Sequence, residues 1–229
     1  MPKTPMRLKS VYLLLMGASL LAAALPTVWP QLDLAVAAFF LQSQPSPHPA
    51  QWFWVAAVNE YTPDIFRSLS LLCLAGWIVA SLVPRLRRAC LALAFVGLSL
   101  ALGPGLATWA AKEQTLRARP FDVKEFGGAR QFTPALVKTN QCDDNCAFVS
   151  GHVACGFFFA SLMLLDPRRR WWWLSVGTGA GLLIGLARMS VGAHWLSDVL
   201  WAFPITLLCS WLVWHVLLLF YQPKKQAHG

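Results

Sequence analysis

Three short patterns in this chain place chemically capable side chains at fixed spacing. Lys112 is followed, after six intervening residues, by Arg119 and Pro120. Val149, Ser150, Gly151 and His152 are consecutive. Arg188 is followed after five residues by His194, and after three more by Asp198. Lys112, Arg119 and Arg188 supply three cations, and a guanidinium presents forked donors that match phosphate oxygens. Ser150 stands where a helix should begin. It is placed to cap that helix while the unpaired N–H groups of the first turn face outward, which makes an anion site. His194 and Asp198 are four apart, hence on one face of a helix start. A carboxylate there can hold an imidazole in one tautomer and stabilise its cation. Taken singly, a histidine in an apolar helix could simply hydrogen-bond to a neighbour. Ionisable groups near a membrane are expensive to keep, so the three together read as a catalytic site for an anion.

The elements that position these residues follow from composition. Of 229 residues, 57% are hydrophobic and only 13% are charged, about half the charge of a soluble domain. A soluble globule, a disordered chain and a small disulfide scaffold are all poor fits. Charge-free runs cover residues 10–32, 68–84, 89–111, 145–165, 171–187 and 199–223. Each approaches the ~17–25 residues that cross a ~30 Å hydrocarbon core, and such runs fold as helices because lipid offers the backbone no partners. The expected fold is all-α, a bundle of six membrane-spanning helices in a single domain over 1–229. Its motif-bearing core is about 67–221, and 112–150 forms an outer loop.

Lys and Arg orient the bundle. Lys3, Arg7 and Lys9 precede the first run, and Arg85, Arg87 and Arg88 join the second to the third. Arg168, Arg169 and Arg170 join the fourth to the fifth, and Lys224 and Lys225 follow the sixth. With cytoplasmic termini all of these lie inside, as the positive-inside rule requires. The +9 net charge is then a topology signal and not a nucleic-acid footprint. Trp171, Trp172 and Trp173 suit an interfacial belt. The first segment also has the basic start, apolar run and small residues (Ala22, Ala23, Ala24) of a secretory signal peptide. Its length favours a retained span.

Two outer segments are long. In residues 31–66, the apolar stretch 34–41 is too short to span and, with Trp52, Phe53 and Trp54, reads as an interfacial element. Residues 43–49 read as a turn-rich linker. Thr62, Pro63 and Asp64 offer an N-cap, a proline at the first helical position and an early acid for the second helix. The second segment, 112–150, carries Lys112, Arg117, Arg119, Lys124, Arg130 and Lys138 on the side expected to be poor in cations. Either a solvated loop tolerates them or they bind an anion; for Arg117, solvation is the expectation. Cys142 and Cys146 bracket Asp143, Asp144 and Asn145. A zinc site needs two further ligands that the spacing does not offer, so a short disulfide is expected in an oxidising compartment. Asp143 and Asp144 should face solvent. Cys73, Cys90, Cys155 and Cys209 fall in apolar runs as packing residues, and His48, His215 and His228 lack catalytic company.

The three patterns resemble the signature of the type-2 phosphatidic acid phosphatase superfamily, K-x6-RP, PSGH and SR-x5-H-x3-D, in order and at matching spacing. Val149 replaces the usual Pro and Ala187 the usual Ser. The resemblance implies that His194 attacks phosphorus to form a phosphohistidine, Asp198 orients His194, and His152 protonates the departing oxygen. It further implies that Lys112, Arg119, Ser150, Gly151 and Arg188 hold the phosphoryl oxygens, with no metal or other cofactor. Phe126, Gly127, Gly128, Phe132, Thr133, Pro134 and the stretch from Cys142 to Gly151 look like lipid A phosphatases of Gram-negative bacteria. Undecaprenyl diphosphate and phosphatidylglycerophosphate phosphatases are the alternatives, and a non-catalytic lipid-phosphate binder or transporter is the rival of another class. A lipid substrate at the periplasmic face of the inner membrane is implied, with no obligate protein partner.

Overall fold

A computed structural model of the protein describes residues 6–42 and 48–221. Lys3, residues 43–47, Lys224, Lys225 and His228 lie outside the described residues. The fold is helical, and among the described residues the extended pairing is one isolated bridge between Val123 and Arg130. The described residues form eight α-helices: α1 (Met6–Val28), α2 (Gln31–Gln42), α3 (Phe53–Leu82), α4 (Cys90–Leu100), α5 (Thr108–Thr115), α6 (Gly151–Ser161), α7 (Arg170–Ser190) and α8 (Leu196–Phe220). A wider π-helical segment, Ala101–Ala107, joins α4 to α5 without a break. Such segments occur often at functional sites, and this one carries Pro104.

Among the described residues, four stretches are long and apolar enough to cross a membrane: Leu8–Val28, Phe53–Leu82, Pro84–Asp122 and Leu196–Phe220. Gln31–Gln42 and Gly151–Leu164 are shorter apolar helices. The fourth expected span therefore begins later than its charge-free run suggested, because residues 145–150 belong to the loop. The second begins earlier. Thr62, Pro63 and Asp64 do not start a helix; they lie within α3, whose first turn is at Phe53. A proline inside a helix removes one backbone hydrogen bond, and the apolar length on both sides of Pro63 keeps the helix continuous.

Small residues set the tightest packing. A Cβ on Gly177 would come within 2.2 Å of the Ala160 backbone, and one on Gly181 within 2.2 Å of the Phe157 ring. Helices α6 and α7 thus approach closely through a small-x-x-x-small stripe, the arrangement that gains van der Waals contact in an apolar solvent. Helix α1 packs on α8, where the buried Tyr12 hydroxyl donates to Leu207 O at 2.6 Å. Trp171 and Trp172 remain exposed at the start of α7. The segment between α5 and α6 is built from short turns and carries a Cys142–Cys146 bridge. Cys73, Cys90, Cys155 and Cys209 are free.

Candidate active site

The ends of α5, α6, α7 and α8 meet at one level. Helix α5 presents Lys112 in its last turn and stops at Leu116, which takes the left-handed conformation at φ 48°. Helix α7 ends just beyond Arg188 in a turn where Ala193 N donates to Arg188 O at 3.0 Å and Gly192 N to Met189 O at 2.9 Å. That turn needs Gly192, at φ 67°, where a side chain would be strained. It delivers His194 just ahead of α8. His194 is thus not inside the helix, as the spacing suggested. Asp198 sits in the first turn of α8, where its Oδ2 accepts Trp195 N at 2.8 Å. Ser150 N donates to Asp198 O at 3.3 Å, which ties the start of α6 to the same turn.

Lys112, Arg119, Gly151, His152, Arg188 and His194 line one cavity of about 470 Å³. Its lining also includes the apolar Phe66, Leu71, Leu74, Leu100 and Ala101, from α3, α4 and the π-helical segment. The cations are held by amide oxygens. Lys112 Nζ donates to Asn145 Oδ1 at 2.9 Å. Arg119 donates to Asn145 O through Nη2 at 2.6 Å and Nε at 3.0 Å. Arg188 Nη1 donates to Asn59 Oδ1 at 2.6 Å. Among the described residues, no carboxylate lies within 4.0 Å of any of the three. A neutral oxygen satisfies a donor without cancelling its charge, so the cradle keeps its positive potential for an anion.

Ser150 and Asp198 lie behind this cavity, both fully buried. Ser150 occupies the N-cap position of α6, but its side chain makes no capping bond, and its Oγ is buried without a partner among the described residues. The side-chain cap expected of Ser150 is therefore not formed. His194 Nδ1 lies 3.5 Å from Asp198 Oδ2, too long for a formed hydrogen bond. Catalytic contacts are often long before substrate binds. Burial first, then the charges of Arg188, Lys112 and Arg119, with His152 adding to them, hold the His194 imidazole well below its ordinary pKa of 6.5. A neutral imidazole is the nucleophilic form.

Arg117 is neither solvated nor in the cavity. It is completely buried and ion-pairs at 2.7 Å with both Asp33 and Asp198. Its remaining donors reach Ser197 Oγ at 2.7 Å and Thr133 O at 2.8 Å. Asp33, from α2, accepts from Ser197 N at 2.8 Å and Ser197 Oγ at 2.6 Å. Phe132 and Trp195 pack against the guanidinium, and Phe126 packs on Trp195 in turn. The stretch around Phe126, Phe132 and Thr133 thus packs about Trp195 and Arg117, whose guanidinium pairs with the carboxylate that faces His194. Asp143 and Asp144 face solvent as expected, and Asp143 pairs there with Arg130. His48 accepts from Ala50 N, and His215 contacts the carbonyl and the ring of Trp211 one turn earlier. Asn59, Asn145 and Asp33 were not singled out in the sequence. The one available signal was Asp33, a lone acid beside an apolar stretch.

A family model described as the PAP2 superfamily matches residues 85–221. The chain belongs to this superfamily. A lipid A 4'-phosphatase of Francisella tularensis subsp. novicida (strain U112) is 31% identical over 204 residues, covering 82% of this chain and 86% of that protein. A lipid A 4'-phosphatase of Rhizobium leguminosarum is 37% identical over 89 residues, 38% of each chain. One of Rhizobium etli (strain ATCC 51251 / DSM 11541 / JCM 21823 / NBRC 15573 / CFN 42) is 38% identical over 89 residues, 38% of this chain and 35% of that one. No solved structure gives a significant match. The apolar helices and these relatives make this PAP2 protein a bacterial membrane protein.

Proposed function

We propose that this membrane lipid phosphatase removes a phosphate from a lipid A-type substrate through a phosphohistidine on His194. The observation that carries the reading is the single cavity in which His194, His152 and three uncancelled cations meet an apolar wall. The lipid's acyl region lies against Phe66, Leu71 and Leu74, and its phosphate among Lys112, Arg119, Arg188 and the first N–H groups of α6. With Nδ1 toward Asp198, His194 attacks through Nε2. The P–N bond forms as the P–O bond to the lipid breaks, and His152 gives its proton to the departing oxygen. Water then attacks phosphorus, His152 takes its proton, and the P–N bond breaks to release inorganic phosphate. The cations and helix N-terminus stabilise the charge spread over the equatorial oxygens.

No metal enters this scheme. Three cations and about half a charge from the helix N-terminus oppose a phosphate dianion, and they would repel a divalent ion. Activity should therefore survive a chelator and be inhibited by vanadate. Loss of activity on chelation, restored by magnesium with a soluble short-chain substrate, would overturn the charge assignment. We place the cavity at the periplasmic face of the inner membrane, with cytoplasmic termini, six membrane helices and Cys142–Cys146 in the oxidising compartment. The deciding experiment is mass spectrometry of lipids from cells with and without the protein. Wild-type protein should convert a lipid A phosphate that His194→Ala leaves intact, and an unchanged lipid A profile would sink the substrate assignment.

A further inference from the structure

Asn59 lies four residues ahead of Pro63 in α3. In an uninterrupted helix the carbonyl of residue 59 would accept the N–H of residue 63. Proline has no N–H, so that oxygen is left without its ordinary partner. His152 Nε2 lies 3.3 Å from Asn59 O. A carbonyl only accepts, so this contact forms when the proton is on Nε2. The side chain of the same residue accepts Arg188 Nη1 at 2.6 Å, while Arg188 Nε is buried without a partner among the described residues. One residue of α3 therefore holds a group at the start of α6 with its backbone and a group at the end of α7 with its side chain.

We propose that Asn59 and Pro63 form a positioning device for the reaction. The carbonyl exposed by Pro63 keeps a proton on Nε2 of His152 in both charge states. Nδ1 is then the nitrogen that trades a proton: its N–H passes to the leaving oxygen as the P–O bond breaks, and its lone pair later takes a proton from water. The Asn59 amide fixes the Arg188 fork against the phosphoryl oxygens and leaves its charge intact. Both residues act through others and touch no reacting atom. This inference rests on the roles proposed above for His152 and Arg188.

Two readouts separate its halves: turnover on a short-chain alkyl phosphate against an aryl phosphate, and inhibition by vanadate. Pro63→Ala restores an N–H at position 63 to compete for Asn59 O, and alanine suits a helix interior. It should lower kcat for the alkyl substrate about tenfold, the size of one lost positioning hydrogen bond. The aryl substrate, whose leaving group needs little protonation, should be nearly unaffected, as should vanadate inhibition. Asn59→Ala keeps the carbonyl and removes the amide. It should weaken vanadate about tenfold while preserving the alkyl-to-aryl ratio. Parallel losses on both substrates in Pro63→Ala would mean a merely structural role and overturn the first half. Unchanged vanadate affinity in Asn59→Ala would overturn the second, whatever the behaviour of Pro63→Ala. His152→Ala is the control for the underlying reading. Equal losses there on both substrates would remove His152 as the acid, whereas a selective loss there without one in Pro63→Ala would remove only the positioning role.

Discussion

Arg117 and Arg119 stand two residues apart and do opposite things. Arg117 is fully buried, with both neighbouring carboxylates, Asp33 and Asp198, at 2.7 Å. Arg119 lines the cavity, donates to the Asn145 carbonyl and lies over the Phe121 ring, with no carboxylate among the described residues paired to it. The difference lies in the partner. A carboxylate cancels a guanidinium and turns it into a fastener, whereas an amide oxygen steadies it and leaves its field available. Lys112 and Arg188 follow Arg119, each held by an asparagine side chain. Arg117, which holds Asp198, is thus set apart from Lys112, Arg119 and Arg188, whose charge is left uncancelled.

Truncating Arg117 should break this division most visibly. Arg117→Ala strands two buried carboxylates, and breaking such a pair from one side costs about 3–5 kcal/mol. Thermal unfolding in detergent should show a large drop in midpoint; an unchanged midpoint would mean that the cluster is hydrated. Arg119→Ala should do the reverse. Turnover should fall about 10²–10³-fold, as for removal of one donor to transition-state charge, with little change in unfolding midpoint. A stability loss matching that of Arg117→Ala would erase the distinction.

Asn145→Asp would sharpen the comparison by making the cradle resemble the cluster. Asn145 sits at φ 47°, a conformation aspartate also tolerates. A carboxylate beside Lys112 and Arg119 should weaken vanadate inhibition roughly tenfold, on the scale of one charged hydrogen bond, without unfolding the protein. Tighter vanadate binding would contradict the amide-oxygen argument.

The smallest expected effect concerns pH. His194 is held well below 6.5, so the acid limb of kcat/KM set by this group should fall below pH 6.5. An unfolded imidazole takes up a proton near pH 6.5 while the folded one does not. Stability from this group is therefore lost as pH falls below about 6.5 toward the folded value. An acid limb at or above 6.5, assigned to His194 by its loss in a variant, would show that the cradle's charge is screened.

The sequence made the cradle legible because function constrains residue type and spacing there. Lys112, Arg119, His152, Arg188 and His194 share one cavity, at the ends of helices whose apolar runs were visible in advance. What escaped notice depends on tertiary proximity. Asp33 and Arg117 are 84 residues apart, and nothing local joins a lone acid beside one apolar stretch to an arginine in a distant loop. Cation count in the outer loop gave no means of telling a buried arginine from a solvated one. Pro63 misled for a related reason: proline at a helix start and proline inside a long helix present the same local sequence, and only flanking length separates them. Asn59 and Asn145, being uncharged, left no mark in charge patterning at all.

The acid that α2 contributes at Asp33 changes what counts as the minimal enzyme. The family match begins at residue 85, yet Asp33 and Asn59 both precede it. A fragment confined to 85–221 would retain every signature residue. It would also carry Arg117 with one carboxylate where the intact chain supplies two, and Arg188 without its amide. Recombining that core with a separately expressed 1–84 segment should restore what the fragment lacks. The catalytic signature and the cooperative folding unit are therefore different lengths of chain, and gene fusions or domain swaps cut at the family boundary would divide the second while sparing the first.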